Sequence, residues 1–385
     1  MLEKRGALIN PYLMNEMSHN YRVSGLERVC LKVGIAYHEK YSQYDLGPGH
    51  PFRGDRFLNA KRLFDEQGLF RLPNVILLSP EPATKEDLLR VHDSDYVNVI
   101  FRLAKTETPY DIETPVSPQI LEAAQFIMGG AIKVGKAVYE GDIGCGAALG
   151  CGLHHAGRNY GGGFCLFNDI AVLVEYLREK YGLKRVLILD YDVHFGNGTS
   201  DIYYSDPNVL FISLHQDPRT IYPGTGFIEQ IGKDLGEGYN VNVPLPPGTG
   251  DETYLYAVNE TFVPLADEFK PQLIIANGGS DSHFADMLGS LGLTVNGFFK
   301  LSRTIVAVAE RVCQGKLVLM PGSGYNPEVL PQCWYALTAG VVGLETIGVS
   351  DPYASPPEPK GNRQVVEKTL MNLKRILKPY WKCFR

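Results

Sequence analysis

Short apolar runs ending in Asp, Asn or Gly recur along this chain, with stretches of helical length between them. That alternation is the pattern of a parallel sheet whose strands are joined by crossover helices. The clearest runs are residues 31–37, 185–189, 209–214, 273–276 and 316–320. They show little alternation of apolar and polar residues, as strands covered on both faces must. Residues 168–181 open on an N-capping Asn or Asp and have helical apolar spacing, and 298–312 read the same way. The expected fold class is therefore α/β. With 385 residues, 44% hydrophobic and 21% charged, the chain can bury such a core in one domain. No internal repeat or low-complexity run divides it. Residues 351–364 (DPYASPPEPKGNRQ) read as a linker into an amphipathic C-terminal helix over 365–377. Residues 1–30 read as an N-terminal arm or cap, and 31–385 as the main domain.

The net charge is −6 and no basic block exceeds a few residues, so nucleic acid is not expected as a direct ligand. No stretch approaches the apolar length of a membrane span, and the start, MLEKRGALINPY, lacks the apolar core of a signal peptide. A cytoplasmic location without a membrane partner is expected. The seven cysteines are odd in number, scattered and never spaced C-x-x-C. Neither a disulfide framework nor a thiolate zinc knuckle fits that spacing.

Ligands in open parallel sheets bind beyond the carboxyl ends of the strands. Here the strand RVLIL runs into Asp190-Tyr191-Asp192-Val193-His194, LIIA runs into Asn277-Gly278-Gly279-Ser280-Asp281, and KLVLM runs into Pro321-Gly322-Ser323-Gly324-Tyr325. All three loops open on one edge, so Asp192, His194 and Asp281 can converge although 89 residues separate the first and last. Two carboxylates and one imidazole suit Zn²⁺ or another borderline divalent ion, and three protein ligands leave a position open, which is a catalytic pattern. Asp190 alternates with Asp192 along an extended segment and is placed to support the site from behind. Upstream, the adjacent His154 and His155 can aim at one centre, one taking a proton while the other holds or delivers one. The glycines of Gly161-Gly162-Gly163 let backbone approach a ligand, and Phe164 can wall a narrow channel. The other histidines (His19, His38, His50, His92, His215, His283) read as surface or satisfied core residues.

Taken in order, these strings resemble the histone deacetylase family, which includes acetoin-utilisation proteins and acetylpolyamine amidohydrolases. The strings are His154-His155, Gly163-Phe164-Cys165, Asp190-x-Asp192-x-His194-x-Gly196-Asn197-Gly198, Ser213-Leu214-His215, Tyr222-Pro223-Gly224, Gly279-x-Asp281 and Gly324-Tyr325-Asn326. The resemblance runs from about Val33 to Gly343. It implies one arginase/deacetylase-type domain with an eight-stranded parallel sheet and zinc-dependent hydrolysis of an N-acetyl amide. By resemblance, Asp192, His194 and Asp281 match the zinc ligands, His154 and His155 the tandem catalytic histidines, and Tyr325 the tyrosine that bonds the substrate carbonyl. Asp190 matches the carboxylate behind the first histidine. With Asp192, His194, Ser213 and Leu214 it also matches a structural potassium site. Phe164 and Tyr222 match the aromatic walls of an acyl-lysine tunnel, Gly163 joins them in the substrate-binding set, and Leu288 stands at a further wall position. Glu113 falls where many members carry an Asp that holds the substrate backbone.

Four departures from the family pattern stand out. The turn into the histidines is Gly152-Leu153 rather than Pro-Gly, Phe195 replaces a second histidine, Asn197 replaces the class I Asp as partner of His155, and Glu113 replaces Asp. The expected substrate is acetyl-lysine in a peptide or protein, with an acetylated polyamine as the alternative. A ureohydrolase of the same fold would need two metals and more Asp and His than the chain assembles. An acyl-lysine-binding pseudoenzyme would have lost a ligand or the tyrosine, and none is lost. Oligomeric state, acyl-chain length, Zn²⁺ against Fe²⁺, and which histidine is the base stay open at the level of sequence.

Overall fold

The computed structural model describes residues 32–385, and the arm or cap expected over residues 1–30 lies outside them. Eight strands form one all-parallel sheet: β1 Val33–Ala36, β2 Val75–Leu78, β3 Cys145–Ala148, β4 Val186–Asp190, β5 Val209–Gln216, β6 Asn240–Leu245, β7 Leu273–Gly278 and β8 Leu317–Pro321. Their spatial order is β2-β1-β3-β8-β7-β4-β5-β6. β4, β5, β7 and β8 are buried along their whole length, which is why they read as apolar runs without alternation. The expected strands are present with ends moved by a few residues. Three others lacked a clear signal. β3 is Cys-Gly-Ala-Ala, with none of the β-branched or aromatic residues that mark strands. Its small residues serve close packing: a Cβ on Gly146 would come within 2.6 Å of both the Gly34 carbonyl and Val134. β6, at the sheet edge, is broken in pattern by Asn240 and Asn242, whose amides bond to the Gln230 carbonyl.

Helices flank the sheet. The helix Asp169–Tyr181 starts just after its N-cap Asn168, whose side chain accepts from the Ala171 N–H, and it packs on Pro118–Glu140. The helix Val295–Cys313 begins earlier than expected because Thr294 caps it, taking the Gly297 N–H at 3.0 Å. The C-terminal helix Asn362–Leu377 also starts earlier, and buries Val366, Leu370, Leu373 and Leu377 against the helix Asp251–Phe269 and β6. Among the described residues no helix is long and apolar enough to cross a membrane, and the six described cysteines are unpaired.

β3, β8, β7 and β4 are consecutive neighbours in mid-sheet. The chain leaves β3 and next enters the sheet at β4, three places away, with β7 and β8 filling the gap later. A crevice opens at the carboxyl ends where strand order reverses in this way. The loops after these four strands supply the groups described next.

Candidate active site

β4 ends at Asp190, and the short extended turn that follows brings Asp192 and His194 opposite Asp281 from the loop after β7. All three side chains are buried, and their donor atoms lie within 4.8 Å of one another. His194 Nδ1 is 3.0 Å from Asp192 Oδ1 and 3.5 Å from Asp281 Oδ2. Asp281 Oδ1 accepts the Val193 N–H at 3.2 Å, whereas Oδ2 is buried without a hydrogen-bond partner. Burial and the neighbouring Asp192 charge push the Asp281 carboxyl well above its ordinary range. A buried carboxylate oxygen aimed at a second carboxylate and an imidazole is costly unless a cation joins them. The donor set fits a divalent ion of the zinc type.

Asp190, whose backbone lies opposite Asn277 on one side and Ser213 on the other, turns its side chain to the tandem histidines. His154 Nδ1 is 2.7 Å from Asp190 Oδ2, and His154 Nε2 is 3.1 Å from His155 Nε2. Burial lowers the pKa of His154, but the Asp190 and Asp192 carboxylates outweigh it and raise the value to about 9. His155 Nδ1 is 2.7 Å from Asn197 Oδ1. Burial, with His154 and His194 close by, pushes His155 well below an ordinary histidine. The turn entering the pair is held by Asp169, which accepts the N–H groups of Gly152 at 2.7 Å and Leu153 at 2.9 Å. Asp169 is itself pushed up to about 6 by burial, against those backbone bonds. The loop beyond is braced by His92, buried between the Gly157 carbonyl and the Asn168 N–H. Phe195 packs on His215 and Phe211 and faces no metal donor.

A narrow cleft leads to this centre, lined by Phe52, His154, His155, Asp192, His194 and Tyr325 among others. Gly163 has φ +52°, and a Cβ there would lie 2.3 Å from His155 Cδ2, so only glycine lets the loop pass. Phe164 follows with its carbonyl held by the Tyr44 hydroxyl at 2.7 Å and its ring edge-on to Tyr325, centroids 5.9 Å apart. Tyr222 stands half-exposed, edge-on to His155 at 5.0 Å. Leu288 is partly exposed on the loop after Asp281. Glu113 is exposed beside His50, whose ring meets the edge of Phe164 at 4.6 Å, so it belongs to the rim rather than the cleft. Ser213 and Leu214 lie buried on β5 beside Asp190; Ser213 Oγ bonds His215 Nδ1 at 2.8 Å, and the Leu214 carbonyl accepts the Tyr254 hydroxyl at 3.3 Å.

Three contributors carried no clear sequence signal. Asp286 accepts the Tyr325 N–H at 2.7 Å, tying the tyrosine loop to the Asp281 loop. The same loops touch at Gly324, where a Cβ would fall 1.8 Å from Ser280 Oγ. Arg56, on the helix Asp55–Glu66, is a buried cation with its guanidinium 3.7 Å over the Phe52 ring and 5.3 Å from that of Tyr325. Burial lowers its pKa to about 10, which leaves it charged at neutral pH. Asp169, described above, is the third.

A parallel sheet whose central carboxyl ends gather an Asp–His–Asp cluster, a tandem histidine pair and a tyrosine is the architecture of a deacetylase-type hydrolase. The sequence model of the histone deacetylase domain matches residues 50–341. A probable deacetylase of Archaeoglobus fulgidus is 38% identical over 359 residues, 91% of this chain and 99% of that protein. The acetoin utilization protein AcuC of Bacillus subtilis is 32% identical over 332 residues, 84% of each chain. Among solved structures, the HD domain of HDA15 superposes with a TM-score of 0.80 at 26% identity, covering 92% of this chain and 97% of that one. The chain belongs to the histone deacetylase family.

Proposed function

We propose that this protein hydrolyses the acetyl amide of acetyl-lysine in a peptide or protein, using one divalent ion held by Asp192, His194 and Asp281. The observation that carries the reading is the buried three-donor cluster, with its unpartnered Asp281 Oδ2, facing the His154–His155 pair across one narrow cleft. When bound there, Zn²⁺ supplies Lewis-acid polarisation of the amide carbonyl and lowers the pKa of water.

The chain's own groups do the rest. His154, oriented through Nδ1 by Asp190, takes or holds the proton of the attacking water at Nε2. Positive charge added to the cleft lowers its pKa from about 9, as a proton acceptor needs. Tyr325, kept protonated because burial raises its phenol, donates its hydroxyl to the carbonyl oxygen as charge develops there. His155 receives the water's proton from His154 across the 3.1 Å contact between their Nε2 atoms and passes it from Nε2 to the departing amine, while Nδ1 stays on Asn197. Phe164 and Tyr222 exclude water from the acyl-lysine stem, and Gly163 keeps that wall close to His155. Behind Phe52 and Tyr325, the fixed charge of Arg56 suits the acetate product. Asp190, Asp192, His194, Ser213 and Leu214 would hold potassium as a structural ion beneath the site, since the strand ends they occupy are adjacent and rich in buried oxygen.

The rim favours a peptide. Ile112, 99% exposed, stands between the acids Asp111 and Glu113, and the half-exposed Tyr222 lies near both acids, a mixed apolar and acidic rim that suits residues flanking a lysine. The same acids support the second reading, an acetylated polyamine. Acetate release from acetyl-lysine peptides, acetylputrescine and acetylspermidine, measured side by side, tests the choice. The peptide should give the highest kcat/KM, and turnover confined to the polyamines would overturn the assignment.

A further inference from the structure

The hydrogen bond from His155 to Asn197 continues to the surface. Asn197 opens the short helix Asn197–Tyr203, and Asp201, four residues on, shares its face. Tyr160 bridges them: Asn197 Nδ2 lies 3.4 Å from the Tyr160 hydroxyl, which in turn donates to Asp201 Oδ2. A tight turn sets the tyrosine there. The Gly157 N–H donates to the Tyr160 carbonyl at 2.9 Å, and a Cβ on Gly157 would meet the Tyr160 ring at 2.3 Å.

Donor counting makes this chain directional. A carboxylate only accepts, so the single hydroxyl proton of Tyr160 goes to Asp201 and its oxygen is left to accept. Burial and Asp201 both raise the Tyr160 phenol, so that proton is retained. Of the two ends of the Asn197 amide, only NH₂ can face such an oxygen, and the amide oxygen is thereby turned to His155. A neutral imidazole facing a carbonyl oxygen must carry its proton on Nδ1, which leaves the Nε2 lone pair in the cleft.

We propose that Tyr160 and Asp201 are positioning residues that fix the orientation of the Asn197 amide and, through it, the tautomer of His155. This rests on the reading of His155 as the proton donor to the leaving amine: giving up a proton from Nε2 must yield the Nδ1–H form. An aspartate at position 197 would need no such help, because both its oxygens accept in either orientation. The amide is what creates the dependence on Tyr160.

The test combines Tyr160→Phe and Asp201→Ala with Asn197→Asp. Each of the first two is made alone and with the third, and acetate release from an acetyl-lysine peptide is followed. Long-range nitrogen–proton spectra of protein carrying isotope-labelled histidine report the His155 tautomer independently of turnover. With Asn197 present, each variant should lower kcat about fivefold with little change in KM, the scale of one net hydrogen bond. In the Asn197→Asp background the loss should shrink to less than about twofold. The spectrum of Tyr160→Phe should change from the Nδ1–H form to a mixture. An unchanged tautomer, or equal losses in both backgrounds, would overturn the proposal. Asp201 is exposed, so Asp201→Ala decides the matter if Tyr160→Phe does not fold. Full kcat in His155→Ala would instead sink the reading of His155 as proton donor, whatever the spectra show.

Discussion

Gly163→Ala should disable proton transfer by adding one methyl group outside the metal-ligand set. The new Cβ would lie 2.3 Å from His155 Cδ2, 2.7 Å from Cγ and 3.0 Å from Nε2. Carbon atoms in contact sit about 3.5–4.0 Å apart, so ring and loop must separate by about 1 Å. The ring cannot absorb this by swinging free, because Nδ1 is held by Asn197 at 2.7 Å. The loop is no softer, since the Phe164 carbonyl is bonded to the buried Tyr44. Alanine at φ +52° also pays the left-handed backbone cost of about 1–2 kcal/mol. A shift of about 1 Å at a reacting group can cost about 10²-fold, so kcat for acetate release should fall by that order. The melting temperature should drop by a few degrees, and bound metal should stay at the wild-type level. A kcat within about threefold of wild type, with the fold and metal intact, would show that His155 is not held by this contact or transfers no proton.

Three further outcomes follow from the same geometry. Tyr325→Phe keeps the ring and the backbone bond to Asp286, so stability should hold while kcat falls about 10²–10³-fold and KM moves less; a change confined to KM would mean the hydroxyl only binds. Asn197→Asp places a charge on His155 Nδ1, which raises the pKa of that ring, keeps it protonated to higher pH and moves the basic limb of kcat/KM upward; superimposable limbs would refute the coupling. Asp169 titrates near 6 in the fold against 3.8 as the ordinary value, so the native state binds the extra proton and stability falls as pH rises between those values. Relative to Asp169→Asn, the wild type should lose about 2 kcal/mol of unfolding free energy between about pH 4.5 and 7.5, and a constant difference across that range would contradict the burial argument.

What could be read from the sequence were features with a local cause. β4, β7 and β8 are covered on both faces, so their apolar runs and terminal Asp, Asn and Gly are visible without tertiary knowledge. Parallel strands then bring Asp192, His194, Asp281 and Tyr325 to one edge, as the structure shows. β3 stayed silent because its Gly and Ala residues are chosen for close packing, although it launches the His154–His155 loop. Asp286, Arg56 and Tyr160 stayed silent for another reason: each acts across elements far apart in the chain, Arg56 lying 269 positions from Tyr325. His283 is a satisfied core histidine, bonded to Asp351 at 2.7 Å.

The most direct measurement is a metal titration of the stripped protein, following bound Zn²⁺ and acetate release from an acetyl-lysine peptide together. Activity should rise in step with occupancy and saturate at a single ion per chain, because one cluster of three buried donors is present among the described residues. Asp281→Asn, which replaces a buried carboxylate of the cluster with an amide, should bind zinc far more weakly and recover activity only at high metal. Full turnover by the stripped protein, or a requirement for two ions per chain, would contradict the account.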